Sequence, residues 1–366
     1  MKKILKLTLS LFLILSSMAL ACTGITIKTS DNKIVQGRTI EYGESNLNSK
    51  LVVSPRGKEY QSLTPDGKLA GYKWKGKYGY VGASLIADMF IGEGINEAGL
   101  NAGLFYFPHY GSLTKYDKKI SKKSVVDMQV VSWILSNFAT VDEVKEGLKK
   151  IKIVNIGYDE KGNPLPTAHW RVADSKGGNI VIEIVNNGEV KIHDNKIGVL
   201  TNSPDYQWHV KNLNNYINLY AGNAKNFNVN GQEFFSFGAG TGAMGLPGDI
   251  TPPSRFVRAF YFLNTMKPAE TSKEAINEAF HILNNFDLPI GVEYPAEHKS
   301  YIPKDLPSAT QWTAISSLND REFYYKTMYN SQIRKVDLKK IDFSTVKYTV
   351  LPLDEKPEEN IQEITF

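Results

Sequence analysis

The residues best equipped for chemistry sit at Ala19-Leu20-Ala21-Cys22-Thr23-Gly24, where the only cysteine of the chain follows a segment built like an export signal. Lys2, Lys3 and Lys6 open it, residues 7–15 form a mostly apolar run, and Ala19 and Ala21 are small. That order of charge, apolar run and small residues predicts a secretory signal peptide over 1–21. Cleavage after Ala21 is expected to leave Cys22 first, carrying a thiol and a free α-amino group on one residue. The amine titrates near ~7.7–8.0 and the thiol near ~8.5. Such an amine is a competent general base beside the proton it must take, and the thiolate is the attacking species. While the leader is attached, the same nitrogen is an amide without basicity. Cleavage would therefore double as activation.

Other fates are open to a lone cysteine. A lipoprotein cysteine is acylated, but the lipobox wants Leu three before it and a small residue two before; Ala19 and Leu20 stand in the reverse order. The thiol could also be an inert core group, or pair with another chain. An exported chain normally carries disulfides, and a single cysteine cannot form one internally. Keeping one thiol at this place points to its use, in the periplasm or outside the cell.

The chain has 366 residues, so 22–366 can hold one large domain with a sizeable core. The net charge of +5 includes the three leader lysines, leaving about +2, which gives nucleic acid no handle. Beyond the leader no apolar run reaches the ~18–20 residues of a membrane span.

The elements that must position Cys22 follow from pattern. Residues 22–30 and 33–41 read as strands joined at Asp31-Asn32, a hairpin that places Arg38 and Glu41 near its open end. Positions three apart face opposite ways along a strand, so a bend or stop near Thr39 is expected if both serve one site; otherwise they are charges on a solvated face. Short strands are expected at 51–53, 78–85 and 103–107, the last holding Tyr106. The apolar spacing of 124–138 predicts a helix, and Thr140 with Glu143 caps a second one to about 151. Strands at 167–173, 179–185, 189–193 and 197–201, joined by turn clusters, predict antiparallel sheet. A helix is expected at 205–220. Another starts at Pro252-Pro253 with Arg255 in its first turn, where a cation opposes the helix dipole by ~0.3–1 kcal/mol; it is either outward or placed for a partner. Thr271 with Glu274 caps a helix to 286, 309–318 and 322–330 form a last hairpin, and the acidic tail after 353 is loose.

Several motifs are set aside. Gly240-Thr241-Gly242-Ala243-Met244-Gly245 satisfies a dinucleotide fingerprint literally, but Leu246-Pro247-Gly248 follows where the helix should start and no βαβ unit surrounds it. A loop near the active site is expected there instead. His109, His169, His193, His209, His281 and His298 have no metal spacing. No metal and no cofactor are expected.

With these residues in view, the chain resembles the choloylglycine hydrolase family of bile salt hydrolases and penicillin V acylases, within the N-terminal nucleophile (Ntn) hydrolases. The resemblance runs from Cys22 to about Asn330 and rests on Cys22-Thr23-Gly24, Gly37-Arg38-Thr39, Gly94-Ile95-Asn96-Glu97-Ala98-Gly99-Leu100, Gly198-Val199-Leu200-Thr201-Asn202-Ser203-Pro204, and Leu246-Pro247-Gly248-Asp249 through Ser254-Arg255-Phe256. It implies an α+β fold, a four-layer αββα sandwich of two antiparallel sheets. It also implies roles: Cys22 the nucleophile with its amine as base, Arg38 the arginine near the sulfur, Asn202 and the Tyr106 N–H the oxyanion donors, and Arg255 a second arginine of the site. Glu41 stands where the family usually has an Asp bonded to the terminal amine. Tyr106 stands where many bile salt hydrolases have Asn and penicillin V acylases often have Tyr, which tilts the expectation toward the acylases. The implied reaction is hydrolysis of a linear amide with an apolar acyl group: a penicillin V side chain, a conjugated bile salt or an N-acyl lactone. The family's pattern is often a homotetramer, built partly by the segment between the asparagine and the second arginine, here 205–233. The rival class is an exported lipoprotein or binding protein with an acylated Cys22.

Overall fold

The computed structural model describes residues 20–42, 46–159, 162, 164–165, 167–292 and 309–366. The signal-peptide expectation for 1–19 therefore falls outside the described residues. Two antiparallel sheets organise the rest. The first runs β10-β1-β2-β11-β12-β13, from β1 (Leu20–Lys28), β2 (Ile34–Tyr42), β10 (Val199–Leu200), β11 (Ala309–Ser317), β12 (Glu322–Thr327) and β13 (Arg334–Asp337). The second runs β9-β8-β7-β6-β5-β4-β3-β14, from β3 (Lys50–Ser54), β4 (Tyr80–Leu85), β5 (Ala87–Asn96), β6 (Leu100–Tyr106), β7 (Ala168–Asp174), β8 (Asn179–Val185), β9 (Glu189–Asp194) and β14 (Thr349–Pro352).

Helices cover the outer face of each sheet. Helix α1 (Val130–Asn137) packs on β5 and β6, and α2 (Val141–Leu148) on β7. On the other side α4 (Pro252–Thr265) lies on β1 and β10, and α5 (Ser272–Asn284) on β1, β2 and β11; a short α3 (Tyr206–Asn212) touches α4. This is the four-layer αββα sandwich, and nearly continuous burial along β2 and β11 reflects cover on both faces.

Local chemistry explains most boundaries. Thr140 accepts from the Glu143 N–H and Thr271 from the Glu274 N–H, each a helix N-cap. In the Gly94–Leu100 stretch, Asn96 donates to the carbonyls of Leu135 and Phe138, ending α1, while its Oδ1 accepts from the Ala98 and Leu100 N–H groups and shapes the β5–β6 turn. Gly99 sits at φ +86° in that turn, a conformation only glycine adopts without cost.

Three expectations are corrected. The helix expected over 124–138 begins only at Val130. Ser124–Val126 forms a parallel strand pair with Lys152–Val154, and the Asp127 carboxylate, bonded to the Met128 and Ile156 N–H groups, holds that crossing. The β-branched pair Val125-Val126 suits a strand better than a helical first turn. The helix expected over 205–220 stops at Asn212 and tightens into a 3₁₀ turn over Leu213–Tyr216. The tail after Leu353 is exposed, yet pinned where Arg334 pairs with Asp354 (2.7 Å) and Glu359 accepts from the Ser331 N–H.

Candidate active site

Cys22 lies in β1 opposite Ile40, with Gly24 opposite Arg38. Arg38 is therefore the diagonal neighbour of Cys22 on the same face, and its Nη2 donates to the sulfur at 2.7 Å. The rest of the guanidinium is fixed: Nη1 donates to the carbonyls of Leu104 (2.5 Å) and Gly92 (3.1 Å), and Nε to that of Thr39 (3.1 Å). Its plane lies over the Phe105 ring from the facing sheet, 4.3 Å from the centroid, with Trp312 of its own sheet at 5.5 Å. Gly24 is required between them, since a Cβ there would stand 2.6 Å from both Phe105 and the Arg171 guanidinium.

The other candidates converge from three further elements. Tyr106 ends β6, and its N–H hydrogen-bonds the Cys22 sulfur. Asn202 follows β10, which pairs with β1 through Gly24 and Leu200. Its Oδ1 accepts from the Cys22 N–H (2.9 Å), and its Nδ2 donates to the Tyr106 carbonyl (2.8 Å). Arg255, in the first turn of α4, is buried and turned inward. Its Nη2 donates to Asn202 Oδ1 (2.7 Å), Nη1 to Thr23 Oγ1 (2.9 Å) and the Cys22 carbonyl, and Nε to the Ile250 carbonyl (2.8 Å). These charge-assisted bonds offset the unfavourable place of a cation at a helix N-terminus. Leu246–Asp249 has a supporting role: Asp249 accepts from Thr251 and Ser254, which holds its carboxyl down to about 2, and Arg258 grips the carbonyls of Pro247 and Asp249. In the glycine-rich turn before it, Gly238, Gly240 and Gly245 are exposed, while Gly242 is buried against Tyr220, whose N–H donates to its carbonyl.

Burial pushes the Cys22 thiol above its ordinary value; Arg38 opposes that most strongly, Glu41 adds to it, and Arg255 and the Tyr106 N–H oppose it. A group desolvated in isolation would stay a thiol, so the two arginines and the Tyr106 N–H lessen the cost of forming a thiolate here. Four groups from four chain segments thus meet at one residue: Arg38 and the Tyr106 N–H at the Cys22 sulfur, Asn202 at its nitrogen and Arg255 at its carbonyl.

A family model described as linear amide C–N hydrolases, choloylglycine hydrolase family, matches residues 22–351, beginning at this cysteine. The chain belongs to the choloylglycine hydrolase family. It is 36% identical to a bile salt hydrolase/transferase of Clostridium perfringens, over 87% of this chain and 93% of that protein. It is 26% identical to a penicillin V acylase of Pectobacterium atrosepticum, over 94% and 88%. Among solved structures, a cysteine-to-alanine variant of the conjugated bile acid hydrolase from Clostridium perfringens superposes with a TM-score of 0.77 at 30% identity, covering 94% of this chain and all of that one. A second solved variant of that hydrolase carries an arginine-to-leucine substitution sixteen positions further on, the spacing of Cys22 and Arg38. Like the other choloylglycine hydrolases it resembles, the protein is an enzyme acting on linear amides.

One expectation of the sequence is corrected. No bend at Thr39 is needed: β2 stays in register with β1 from Ile34 to Tyr42, and the irregularity falls in β11, where Gln311 is the extra residue. Arg38 and Glu41 accordingly face opposite sides. Glu41 lies across from Ala21, accepts from Thr310 Oγ1 (3.2 Å) and acts on the sulfur by its charge. Glu93 and Arg171, both buried, carry no local motif that marks them. Arg171 bonds Glu93 (3.3 Å) and the carbonyls of Ile25 and Gly37, and Glu93 stands 3.9 Å from Arg38. This pair ties the second sheet to the hairpin that carries Cys22.

Proposed function

We propose that, once the residues before Cys22 are removed, this enzyme cleaves amides by the thiol and amine of that residue acting together. The amine takes the thiol proton, and the sulfur attacks the amide carbonyl carbon. The new oxyanion is held by the Tyr106 N–H and Asn202 Nδ2, donors worth roughly 3–4 kcal/mol each in acyl transfer. The protonated amine then passes its proton to the leaving nitrogen as the C–N bond breaks, leaving a thioester. Water, deprotonated by the same amine, releases the acid. The observation that carries this reading is the hydrogen bond from Arg38 and that from Tyr106 to one sulfur. It is supported by the contact of Cys22 N with Asn202, since a free amine could make the same bond and keep its lone pair for the proton.

For the acyl group, 36% and 32% identity to two bile salt hydrolase/transferases, against 26% to a penicillin V acylase, favours conjugated bile salts. A penicillin V side chain is the second reading, favoured by Tyr106. Glycocholate, taurocholate and penicillin V assayed in parallel on the mature protein decide it: glycocholate or taurocholate should be cleaved with a kcat/KM at least about tenfold above penicillin V, a difference of ~1.4 kcal/mol in transition-state binding. The reverse order would establish the second reading. We further propose export by the 1–21 leader and assembly as a homotetramer. The hairpin of Phe227–Val229 and Gln232–Phe234 exposes Phe227, Phe234, Phe235 and Phe237, and an apolar groove between 213–221 and α4 lies on the same molecule. Light scattering on the same preparation should give four copies; a monomer would refute that assembly.

A further inference from the structure

We infer that His209 is a positioning residue for the reaction: its Nε2–H holds the Asn202 backbone carbonyl and so fixes where the Asn202 side-chain amide stands. The inference rests on the reading of Asn202 as an oxyanion donor. His209 is completely buried on α3, and its Nε2 lies 2.9 Å from the Asn202 carbonyl oxygen. A carbonyl only accepts, so the ring proton is on Nε2 and the imidazole is a donor there. Burial holds its pKa down to about 4, so the ring is neutral in neutral solution, and Nδ1 is buried with no partner among the described residues. The ring also stacks on Phe256, 4.7 Å away and within 10° of parallel. Stacking alone would be served by a phenyl group without a stranded nitrogen. What the imidazole adds is the one hydrogen bond to Asn202.

The preceding residue is held in the same way. His169 Nε2 lies 3.1 Å from the Thr201 carbonyl, with its ring stacked on Phe107. Glu183 stands behind it, 3.5 Å from His169 Nδ1, while also accepting from the Tyr206 N–H that starts α3 and from His193. Three of the histidines that showed no metal pattern thus surround residues 201–206. Two of them grip consecutive carbonyls on the strand end that presents the amide to Cys22.

The test is steady-state kinetics of the mature enzyme with glycocholate, or with penicillin V if that is the substrate cleaved. His209→Phe should lower kcat by about 10- to 100-fold, the cost of a small misplacement of a catalytic group, with KM changed less than about twofold. His209→Gln, whose amide nitrogen reaches as far from Cβ as Nε2 does, should restore kcat to within a few-fold. His209→Asn, too short to reach, should behave like His209→Phe and replaces it if the phenylalanine variant does not fold. Adding His209→Phe to Asn202→Ala should cost nothing more than Asn202→Ala alone. Full kcat in His209→Phe or His209→Asn, a glutamine variant as impaired as they are, or losses that multiply in the double variant would overturn the inference. Unchanged kcat in Asn202→Ala would instead overturn the reading of Asn202 itself.

Discussion

Replacing Cys22 with serine should lower kcat on glycocholate, taurocholate and penicillin V by on the order of 10⁴-fold or more, the scale on which an enzyme loses its nucleophile. The surroundings are arranged for sulfur. Arg38 donates to it at 2.7 Å, and the Tyr106 N–H adds a second bond. A serine hydroxyl keeps the shape and accepts the same bonds, but it does not ionise in this range, so the arginines have no anion to stabilise. The fold should be unaffected, because the side chain is isosteric and its neighbours are held by their own contacts. The measurement is kcat together with the midpoint of chemical denaturation. Activity within tenfold of the parent at an unchanged midpoint would place the nucleophile elsewhere.

The second large effect concerns Arg38. Burial raises the Cys22 thiol, and Arg38 is the largest opposing influence. Its removal in Arg38→Met should raise the thiol pKa further, because an opposite charge at contact distance is lost. The sign follows: the thiolate population falls at every pH below the new value, so the rise of iodoacetamide alkylation with pH moves to higher pH, and kcat/KM near neutrality drops with it. The methionine variant also strands the Leu104 and Gly92 carbonyls and leaves Glu93 with Arg171 and Asn101. Arg38→Lys is therefore the companion: it keeps the charge but not the forked geometry, and should fall between. An alkylation profile in Arg38→Met that overlays the parent would show that Arg38 does not tune the sulfur.

What could be read in the sequence was what lies close along the chain. Asp31-Asn32 marked the turn that brings Arg38 diagonally opposite Cys22, and Thr140 and Thr271 marked two helix starts. Pro252-Pro253 marked a third, with Arg255 inside its first turn. The capping and turn signals are local, and local chemistry decided those positions. The strand over Ser124–Val126 was hidden because its partner, Lys152–Val154, lies about two helices away in sequence. The Glu93–Arg171 pair and the His169, His193 and His209 cluster were hidden for the same reason. Each joins elements far apart in sequence: Glu93 and Arg171 are brought level on one sheet through Gly103 between them, and the histidines come from two strands of that sheet and from α3; no spacing in the chain encodes those meetings. Glu41 shows a subtler limit. Strand alternation sets it on the face away from Arg38, and its charge reaches the sulfur without any bend in the strand.

Everything in the account depends on Cys22 being the first residue of the working enzyme. In the intact chain Leu20 and Ala21 continue β1 past the sulfur, paired with Tyr42 and Glu41, and the Cys22 nitrogen is a peptide amide. Intact-mass and N-terminal sequence analysis of the purified active protein tests this directly. The expected result is a chain that begins at Cys22 with an unblocked amine and an unmodified thiol. Fully active protein that retains residues ahead of Cys22, or whose Cys22 nitrogen or sulfur is acylated, would contradict it.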